Sequence, residues 1–337
     1  AATPLHTRRR LAEGVMLSSQ RLGARVARRG AARGLSGPAT RRPPSVFKRL
    51  KRLALNAAFG TPEEFAKAKG RPLPTEVNRR SPRTGLTGAA LWSNAVVLVD
   101  KPPGWTSFDV VNKVRYALKP LGIKKVGHAG TLDPFATGLM LLLTGQACKF
   151  AESYSAHSKE YTAVVRLGET TPTFDTEMEV SETAPWEHVT DDDIAAAARS
   201  LTGDVRQDIP FYSAKRVRGE KMYEKARRGE HIKAMKDIFV ESYEASREPG
   251  SRDVHIRTVC GYGAYVRVLG ADLGKACGTL GYLTSLRREA VAERRVEDAL
   301  TVAELEELIQ SQCEMHVPGY VWHKRPGNRP AEAVVTP

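Results

Sequence analysis

The sequence of 337 residues has no apolar run long enough to cross a bilayer and no cysteine pattern typical of a metal site. Its longest apolar stretches, such as residues 138–143, fall far short of the roughly 20 residues that a membrane-spanning helix needs. The four cysteines, at positions 148, 260, 277 and 313, are too far apart for a zinc knuckle or a redox pair. These absences exclude a transmembrane helix and predict reduced, structural thiols.

Common cofactor and nucleophile motifs are also missing. No glycine-rich phosphate loop follows a predicted strand, and residues 261–263 (Gly-Tyr-Gly) lack both the third glycine and the helix of such a loop. No His-Glu-x-x-His motif indicates a metal, and no Gly-x-Ser-x-Gly elbow indicates an acyl-transfer serine. The sequence therefore predicts neither a metal nor a nucleotide cofactor.

Acidic residues are scarce at the N-terminal end. Residues 1–92 hold 20 of the 52 lysines and arginines but only 4 of the 38 acidic residues. Residues 7–35 are rich in Arg, Ala, Ser and Gly, which is typical of a mitochondrial or plastid transit segment; a disordered basic tail is the alternative. We predict a basic extension over residues 1–92 that is transit-derived, RNA-contacting or both, and the mitochondrial matrix as the compartment, with a plastid as the second choice.

The remaining sequence alternates between strand and helix patterns. Apolar runs and alternations predict strands at residues 95–99, 159–168, 254–259 and 262–269, and a buried run at residues 139–143. Helical spacing and capping residues predict helices at residues 107–118, 190–201 and 302–309. In the first of these, Ser107 is the expected cap, and Phe108, Val111, Val114 and Leu118 form the expected apolar face. The order has no regular βαβ repeat, so we predict an α+β fold with a central mixed or antiparallel sheet flanked by helices. The predicted catalytic domain covers residues 93–310, and residues 311–337 form a C-terminal tail.

The polar loop at residues 127–133 ends in the most informative carboxylate of the chain. Asp133 directly precedes Pro134, and this pair is typical of a helix N-cap followed by the first helical residue. A catalytic carboxylate is the other interpretation. The two remain open at this point, because a helix N-terminus also holds a carboxylate ionised and fixed in direction.

Residues 127–138 read Gly-His-Ala-Gly-Thr-Leu-Asp-Pro-Phe-Ala-Thr-Gly and resemble the nucleophile motif of the TruB-type pseudouridine synthases. This resemblance implies the pseudouridine synthase fold and the conversion of a uridine in the T-loop of tRNA to its C-glycoside isomer. Further matches follow in the order of that family and span about residues 93–295: segments 100–107, 159–161, 166–168, 173–175, 207–219, 263–267, 272–274 and 286–288.

The resemblance implies roles for individual residues. Asp133 corresponds to the nucleophile and Arg267 to the arginine that pairs with it. The other implied roles are base stacking or proton transfer for Tyr161, a second pocket tyrosine at Tyr265, an apolar wall at Leu286, and filling of the space left by the extruded base for His128. The reaction is a redox-neutral isomerisation, so the resemblance implies no metal and no cofactor. Attack at the ribose C1′, a glycal route and attack at ring C6 stay open.

A basic segment follows the predicted catalytic loops. Residues 215–228 contain seven Lys or Arg residues against two glutamates, and Lys215 and Arg216 lead this run. The segment can bind RNA phosphates, or it can be the solvated face of a helix. We predict that Lys215 and Arg216 contact the substrate.

The sequence departs from the family pattern at two places, of which the first concerns loop stiffness and the second the predicted substrate. Ile209 replaces the first proline of a usual pair, and only about forty residues follow Arg295, too few for the RNA-binding PUA domain of bacterial members. We therefore predict an organellar pseudouridine synthase acting on tRNA or rRNA. The alternative is an RNA-binding assembly factor of the mitochondrial large ribosomal subunit. An unrelated DNA-binding protein is disfavoured because the sequence has no helix-turn-helix spacing.

Overall fold

The computed structural model describes residues 60–80, 85–213, 216–217, 220–221, 228 and 234–317. The helices of this part are α1 (Pro62–Lys69), α2 (Gly88–Trp92), α3 (Ser107–Ala117), α4 (Ala151–Ser155), α5 (Asp191–Ser200), α6 (Val266–Ala276) and α7 (Val302–His316). The strands are β1 (Thr75–Val77), β2 (Ala95–Lys101), β3 (Val126–His128), β4 (Thr137–Thr144), β5 (Lys159–Leu167), β6 (Glu169–Thr170), β7 (Glu182–Thr183), β8 (Gly203–Asp208), β9 (Arg216–Val217), β10 (Glu220–Lys221), β11 (Met235–Ser246), β12 (Asp253–Cys260), β13 (Gly281–Val291), β14 (Arg294–Arg295) and β15 (Leu300–Thr301).

One mixed sheet of eleven strands organises this part of the chain. Its main path runs β1-β2-β4-β13-β5-β12-β11-β8, with β3 beside β4, β14 beside β13 and β15 beside β2. The β1–β2, β4–β13 and β2–β15 pairs are parallel, and the other pairs of the sheet are antiparallel. The predicted α+β fold with a mixed central sheet is therefore confirmed.

The helices bury the apolar faces of the strands in a single core. Helices α3 and α7 pack on the β2–β4 end, and α5 and α6 pack on the β5–β11 end. Strand β4 reads Thr-Gly-Leu-Met-Leu-Leu-Leu-Thr, and Leu139 to Leu143 have no exposed surface. Such a continuous apolar run suits a central strand that is covered on both faces.

The described residues divide into two compact units. Residues 74–151 and 157–317 make up the unit that contains the sheet, whereas residues 60–73 and 152–156 belong to the other. In the second unit, Thr61 and Glu64 form a capping box at the start of α1, and Gly70 ends that helix in the left-handed conformation.

The predicted limits of the catalytic domain, residues 93 and 310, differ from the limits of the structural unit that contains the sheet. Strand β1 and helix α2, which precede the boundary expected at residue 92, lie in the same unit as the sheet, and α7 continues past residue 310 to His316. Of the predicted basic extension, residues 1–59 and 81–84 lie outside the described residues, as do residues 318–337 of the predicted tail. Among the helices that are described, none has the length and apolar character to span a membrane.

Two predicted elements are wrong in part. Residues 262–269 were expected to form a strand, but α6 begins at Val266. The helix expected at residues 107–118 exists, yet its cap is Thr106 instead of Ser107, and Phe108, expected on its buried face, is 61% exposed. Val110, Val111 and Val114 face the core in its place.

Candidate active site

An ion pair between Asp133 and Arg267 lies at the centre of the candidate site. Arg267 Nε is 3.0 Å from Asp133 Oδ2, in the geometry of an ion pair and not of an aligned hydrogen bond. The Arg267 side chain is 4% exposed, whereas that of Asp133 is 34% exposed. The carboxylate therefore has one side held by a buried cation and another side open to a substrate.

The Asp133 loop leads into a strand and not into a helix. The Ala136 N–H donates to the Asp133 carbonyl over 3.2 Å, which closes a turn, and β4 starts one residue later at Thr137. Of the two interpretations left open for Asp133, the helix N-cap is therefore wrong. Because no helix begins here, the carboxylate is not used on backbone N–H groups as an N-cap would be, and it pairs with Arg267 instead.

The first turn of α6 holds Arg267. The Nη1 of Arg267 donates to the Thr173 carbonyl over 2.9 Å, and the Nη2 of Arg267 donates to the Tyr212 carbonyl over 2.6 Å. Asp175 adds a carboxylate oxygen 3.7 Å from Nη1. A planar guanidinium satisfied on several sides has little freedom to rotate, so its Nε is presented to Asp133 in a fixed direction.

Buried charges surround the pair. Lys101 has no exposed surface, and its Nζ donates to the carbonyls of Pro102, Trp105 and Pro134, at 2.9, 2.6 and 3.1 Å. Burial lowers the pKa of Lys101 to about 8, although Asp133 opposes this shift. Burial also raises the pKa of Asp175. Lys101 thus links the loop at residues 102–105 to the turn that contains Asp133, since Pro134 directly follows Asp133.

Tyr161 lies on β5, where it is 7% exposed. Burial raises the pKa of its hydroxyl group, and the charge of Asp133 raises it further, against the opposing effect of Arg288. Arg288 is itself buried and donates from Nε to the Leu139 carbonyl over 2.5 Å and from Nη2 to the Gly130 carbonyl over 3.3 Å. Tyr161 therefore keeps its proton at neutral pH and can donate it in a hydrogen bond.

Tyr265 directly precedes α6, and Leu286 lies on β13. Burial raises the pKa of Tyr265, and the charges of both Arg267 and Asp133 act on it. The Nζ of Lys236 lies 4.0 Å from the centre of the Tyr265 ring, within cation–π range. Leu286 pairs with Ala163 in the sheet and, with Pro103, lines a groove of about 870 Å³. The residues that line this groove do not include Asp133, Tyr161, Tyr265 or Arg267.

His128 lies at the end of β3, before the Asp133 loop. Burial lowers the pKa of its imidazole, and the positive charge of Arg288 lowers it further. The ring is therefore neutral at pH 7. Its Nδ1 is buried and has no hydrogen-bond partner in the part of the chain that the structure describes.

The predicted phosphate contacts fall at the edge of what is described. Lys215 and the side chain of Arg216 lie outside the described residues. The backbone of residues 216–217 pairs with that of residues 220–221 as the antiparallel strands β9 and β10. This short hairpin differs from the helix that was considered for the start of the basic segment.

Several site residues were not given a role by the sequence alone. Lys101, Asp175 and Arg288 lie within the family motifs, but the sequence around each of them does not predict that its side chain is buried. Lys101 ends a strand and Arg288 lies within one, positions where long basic side chains are usually solvated. A lysine directly before two prolines is the one available signal, since Pro102 and Pro103 fix the backbone that Lys101 bonds.

The candidate site thus combines a partly exposed carboxylate, a buried arginine and two tyrosines that keep their protons. Among the described residues no group of three or more His, Cys, Asp or Glu side chains is arranged to hold a metal ion. Comparison with known proteins gives the class. Residues 118–266 match the model of the TruB family pseudouridylate synthase, N-terminal domain.

Relatives with curated names cover the same region. The tRNA pseudouridine synthase B of Phocaeicola vulgatus is 42% identical over 221 residues, which are 64% of this chain and 94% of that relative. The protein of the same name from Paenarthrobacter aurescens is 42% identical over 223 residues, 64% of this chain and 71% of that relative. A solved Cbf5-Nop10-Gar1 complex matches at a TM-score of 0.47 and 26% identity over 63% of this chain, which spans 53% of that structure's chain.

The chain belongs to the TruB family of pseudouridine synthases. It is an RNA pseudouridine synthase, an intramolecular isomerase. The family expected from the sequence motifs is confirmed.

Proposed function

We propose that this protein converts a uridine of organellar tRNA to pseudouridine, with Asp133 as the nucleophile. The observation that carries the proposal is the ion pair of Asp133 with the buried Arg267, at 3.0 Å. A buried guanidinium at this distance holds the carboxylate in a fixed direction, as attack on an electrophilic carbon requires. The open side of Asp133 leaves room for a nucleoside, because a third of its side chain is exposed.

The net reaction needs no oxidant and no metal. The bond between uracil N1 and the ribose C1′ breaks, the base rotates, and a bond forms between C5 and C1′. N1 then carries a proton, and the hydrogen on C5 leaves to water. Asp133 enters and leaves unchanged, whichever sugar or ring atom it meets first. The released C5 hydrogen is the measurable product of each turnover.

The site also suits an extruded base. A uridine within folded RNA must leave its stack, at a cost of a few kcal/mol, before it reaches a carboxylate in a protein cleft. Tyr161 and Tyr265 offer aromatic faces to the base and protonated hydroxyl groups to its polar edge. The family motif gives Leu286 the role of an apolar wall, and the neutral His128 can fill the space that the base leaves.

The relatives support tRNA as the substrate. The Phocaeicola vulgatus protein carries the name tRNA pseudouridine synthase B, and only 6% of its length lies outside the match to this chain. In the Paenarthrobacter aurescens protein of the same name, 29% lies outside. Proteins of this name therefore occur with and without a long additional segment. The short stretch after Arg295 is no argument against tRNA.

The N-terminal composition supports a mitochondrial matrix location. Arginine-rich, acid-poor segments such as residues 7–35 are typical of transit peptides. A fusion of residues 1–92 to a fluorescent protein is expected to enter mitochondria in cells. Import into plastids alone, or a diffuse signal in the cytosol, would contradict this assignment.

The alternative of an assembly factor that only binds a ribosomal precursor is not favoured. Such a factor does not need an ion pair between a buried arginine and a partly exposed aspartate. Keeping a charged group buried at this position without its partner would be costly. Ribosomal RNA is therefore the second substrate to compare with tRNA in a tritium-release assay.

Tritium release tests the proposal. Purified protein is incubated with tRNA and with ribosomal RNA from the organelle, each labelled with tritium at C5 of uridine, and released tritium is counted. We expect release from tRNA, and no release with the Asp133→Asn variant. Release from ribosomal RNA alone would replace the proposed substrate, and no release from any pool would contradict the proposed function.

A further inference from the structure

Two buried side chains hold the backbone on either side of the catalytic pair by the same bonding pattern. In each, one side chain donates a hydrogen bond to the carbonyl of a residue and accepts one from the N–H of that same residue. One of these side chains, Ser107, acts on the residue before Asp133. The other, Gln207, acts on a residue two positions before Arg267.

Ser107 holds Leu132. Its Oγ donates to the Leu132 carbonyl over 2.9 Å and accepts from the Leu132 N–H over 2.8 Å. Ser107 is 3% exposed and is the first residue of α3. Because both backbone groups of Leu132 are fixed, the direction in which the chain enters Asp133 is fixed as well.

Gln207 holds Tyr265 in the same manner. Its Nε2 donates to the Tyr265 carbonyl over 2.9 Å, and its Oε1 accepts from the Tyr265 N–H over 2.9 Å. Gln207 has no exposed surface and lies on β8, paired with Lys236 of β11. Lys236 contacts the Tyr265 ring from the same pair of strands. Tyr265 caps α6, so this contact fixes the start of the helix that holds Arg267.

We propose that Ser107 and Gln207 are positioning residues that set the geometry of the Asp133–Arg267 pair through the backbones of Leu132 and Tyr265. This inference rests on the proposed role of Asp133. Neither side chain needs to touch the RNA. Both amide and hydroxyl groups can satisfy a donor and an acceptor at once, which an apolar side chain of the same size cannot do.

The proposal predicts a defect in chemistry and not in binding. A displacement of about 1 Å at a reacting group can reduce the rate about 100-fold. We expect Ser107→Ala and Gln207→Met to lower the single-turnover rate about 10- to 100-fold at saturating enzyme. The dissociation constant for tRNA, measured separately, is expected to stay unchanged.

Thr144 offers a matched control. Its Oγ1 accepts from the Ala95 N–H over 3.2 Å and donates to the Ala95 carbonyl over 3.4 Å, and Thr144 has no exposed surface. It ends β4, roughly 23 Å along the strand from Thr137, where the strand begins. Thr144→Val therefore removes the same kind of contact far from Asp133. We expect a lower melting temperature but the wild-type rate for the folded fraction.

A double-variant comparison separates positioning from general stability. If Gln207 acts through Arg267, then Gln207→Met adds no further loss of rate when Arg267 is already replaced by lysine. Independent losses that multiply in the Arg267→Lys background would contradict the proposal. So would wild-type rates in both Ser107→Ala and Gln207→Met, or an equal loss of rate in Thr144→Val.

Gln207→Glu keeps the proposal testable if Gln207→Met does not fold. A carboxylate of the same shape still accepts from the Tyr265 N–H but cannot donate to its carbonyl, whereas a carboxylic acid can. We expect the rate relative to wild type to rise as the pH is lowered, with the cationic Lys236 as the charged neighbour on β11. A constant ratio across pH would contradict the role of Gln207.

The same assay distinguishes this inference from the proposed function. Asp133→Asn is measured beside the other variants. An inactive Asp133→Asn together with unaffected Ser107 and Gln207 variants overturns only the positioning role. An Asp133→Asn variant with the wild-type rate overturns the proposed function itself.

Discussion

Arg267 is the residue at which most contacts of the site meet. It pairs with Asp133 and bonds the carbonyls of Thr173 and Tyr212, and it is almost completely buried. Breaking a buried pair by removing one partner is costly because the other charge is left uncompensated. The arginine therefore stabilises the fold around Asp133, in addition to its proposed part in the chemistry.

Replacing Arg267 by lysine tests the value of this geometry. Lysine keeps the charge, but a single ammonium group cannot reach Asp133 and both carbonyls in the plane of a guanidinium. We expect Arg267→Lys to lower the single-turnover rate about 100-fold, with little change in tRNA affinity. Rapid-quench measurement of pseudouridine formation checks this, and a rate within twofold of wild type would contradict it.

At the residue scale, motifs predicted the pair but not its surroundings. Asp133 and Arg267 stand in motifs that resemble those of the family, and the structure brings them to 3.0 Å. The burial of Lys101 was not predictable, because the three carbonyls that it bonds are brought together only when the loops before and after it fold. The two contacts of Ser107 and Gln207 likewise depend on tertiary structure.

Strands β4 and β13 meet at Gly138, where the element scale becomes decisive. A Cβ atom at this position would lie 2.3 Å from the Arg288 carbonyl oxygen and 2.6 Å from the Arg288 nitrogen, and the φ angle is +103°. Only glycine combines this backbone conformation with such a close approach. The parallel pairing of β4 with β13, which starts at Thr137 and Arg287, depends on it.

We expect Gly138→Ala to reduce the free energy of unfolding by roughly 2–5 kcal/mol, as the sum of backbone strain and overpacking. Gly122 is the matched control, since its φ angle is +75° but no atom lies within 4 Å of an added Cβ. Gly122→Ala is expected to lower the free energy of unfolding by only about 1–2 kcal/mol. Equal losses in urea unfolding would contradict the close-approach argument.

Helix α6 shows why one element was predicted wrongly. Apolar and polar residues alternate over residues 262–269, which indicates a strand. Gly270 and Gly274, which follow this segment, disfavour a helix there. In the structure a Cβ at Gly270 would lie 2.7 Å from Leu283 Cδ2, and one at Gly274 would lie 2.6 Å from the Gly281 nitrogen. These glycines are present because α6 packs closely on β13, a contact that local propensity does not reveal.

Periodic segments with strong caps were predicted well. The strand expected at residues 159–168 is β5 (Lys159–Leu167), whose burial alternates along most of its length. The helix expected at residues 190–201 is α5, and Thr190 and Asp193 form its capping box. In these elements the local pattern and the tertiary packing agree, so the sequence is sufficient.

Two buried lysines link stability of the whole molecule to pH. Burial lowers the pKa of Lys159 to about 7 and that of Lys101 to about 8. Both lysines have their ordinary, higher pKa in the unfolded chain. Between about pH 7 and pH 10 the unfolded state therefore binds more protons, and the free energy of unfolding increases with pH in this range.

The contribution of Lys159 can be measured by chemical unfolding at several pH values. We expect Lys159→Met to remove up to one proton from this linkage, a change in slope of at most about 1.4 kcal/mol per pH unit. Lys159→Arg, which stays charged throughout, is expected to remove the same slope while lowering stability. A wild-type slope in both variants would show that Lys159 does not titrate in this range.

The open side of Asp133 is the feature on which the proposed function of the whole molecule depends. The sheet, α6 and the turn after Asp133 together present one carboxylate beside a buried guanidinium. Asparagine in place of aspartate keeps the shape of the side chain but removes its charge and its nucleophilicity. Because the substitution leaves the size and shape of the side chain unchanged, we expect RNA binding to be retained.

The most direct measurement is therefore pseudouridine formation by Asp133→Asn in a single turnover, with tRNA binding measured on the same preparation. We expect the rate to fall by at least about 10⁴-fold with unchanged affinity, as for removal of a catalytic nucleophile. A variant that binds tRNA and forms pseudouridine at the wild-type rate would contradict the assignment of Asp133 as the catalytic residue.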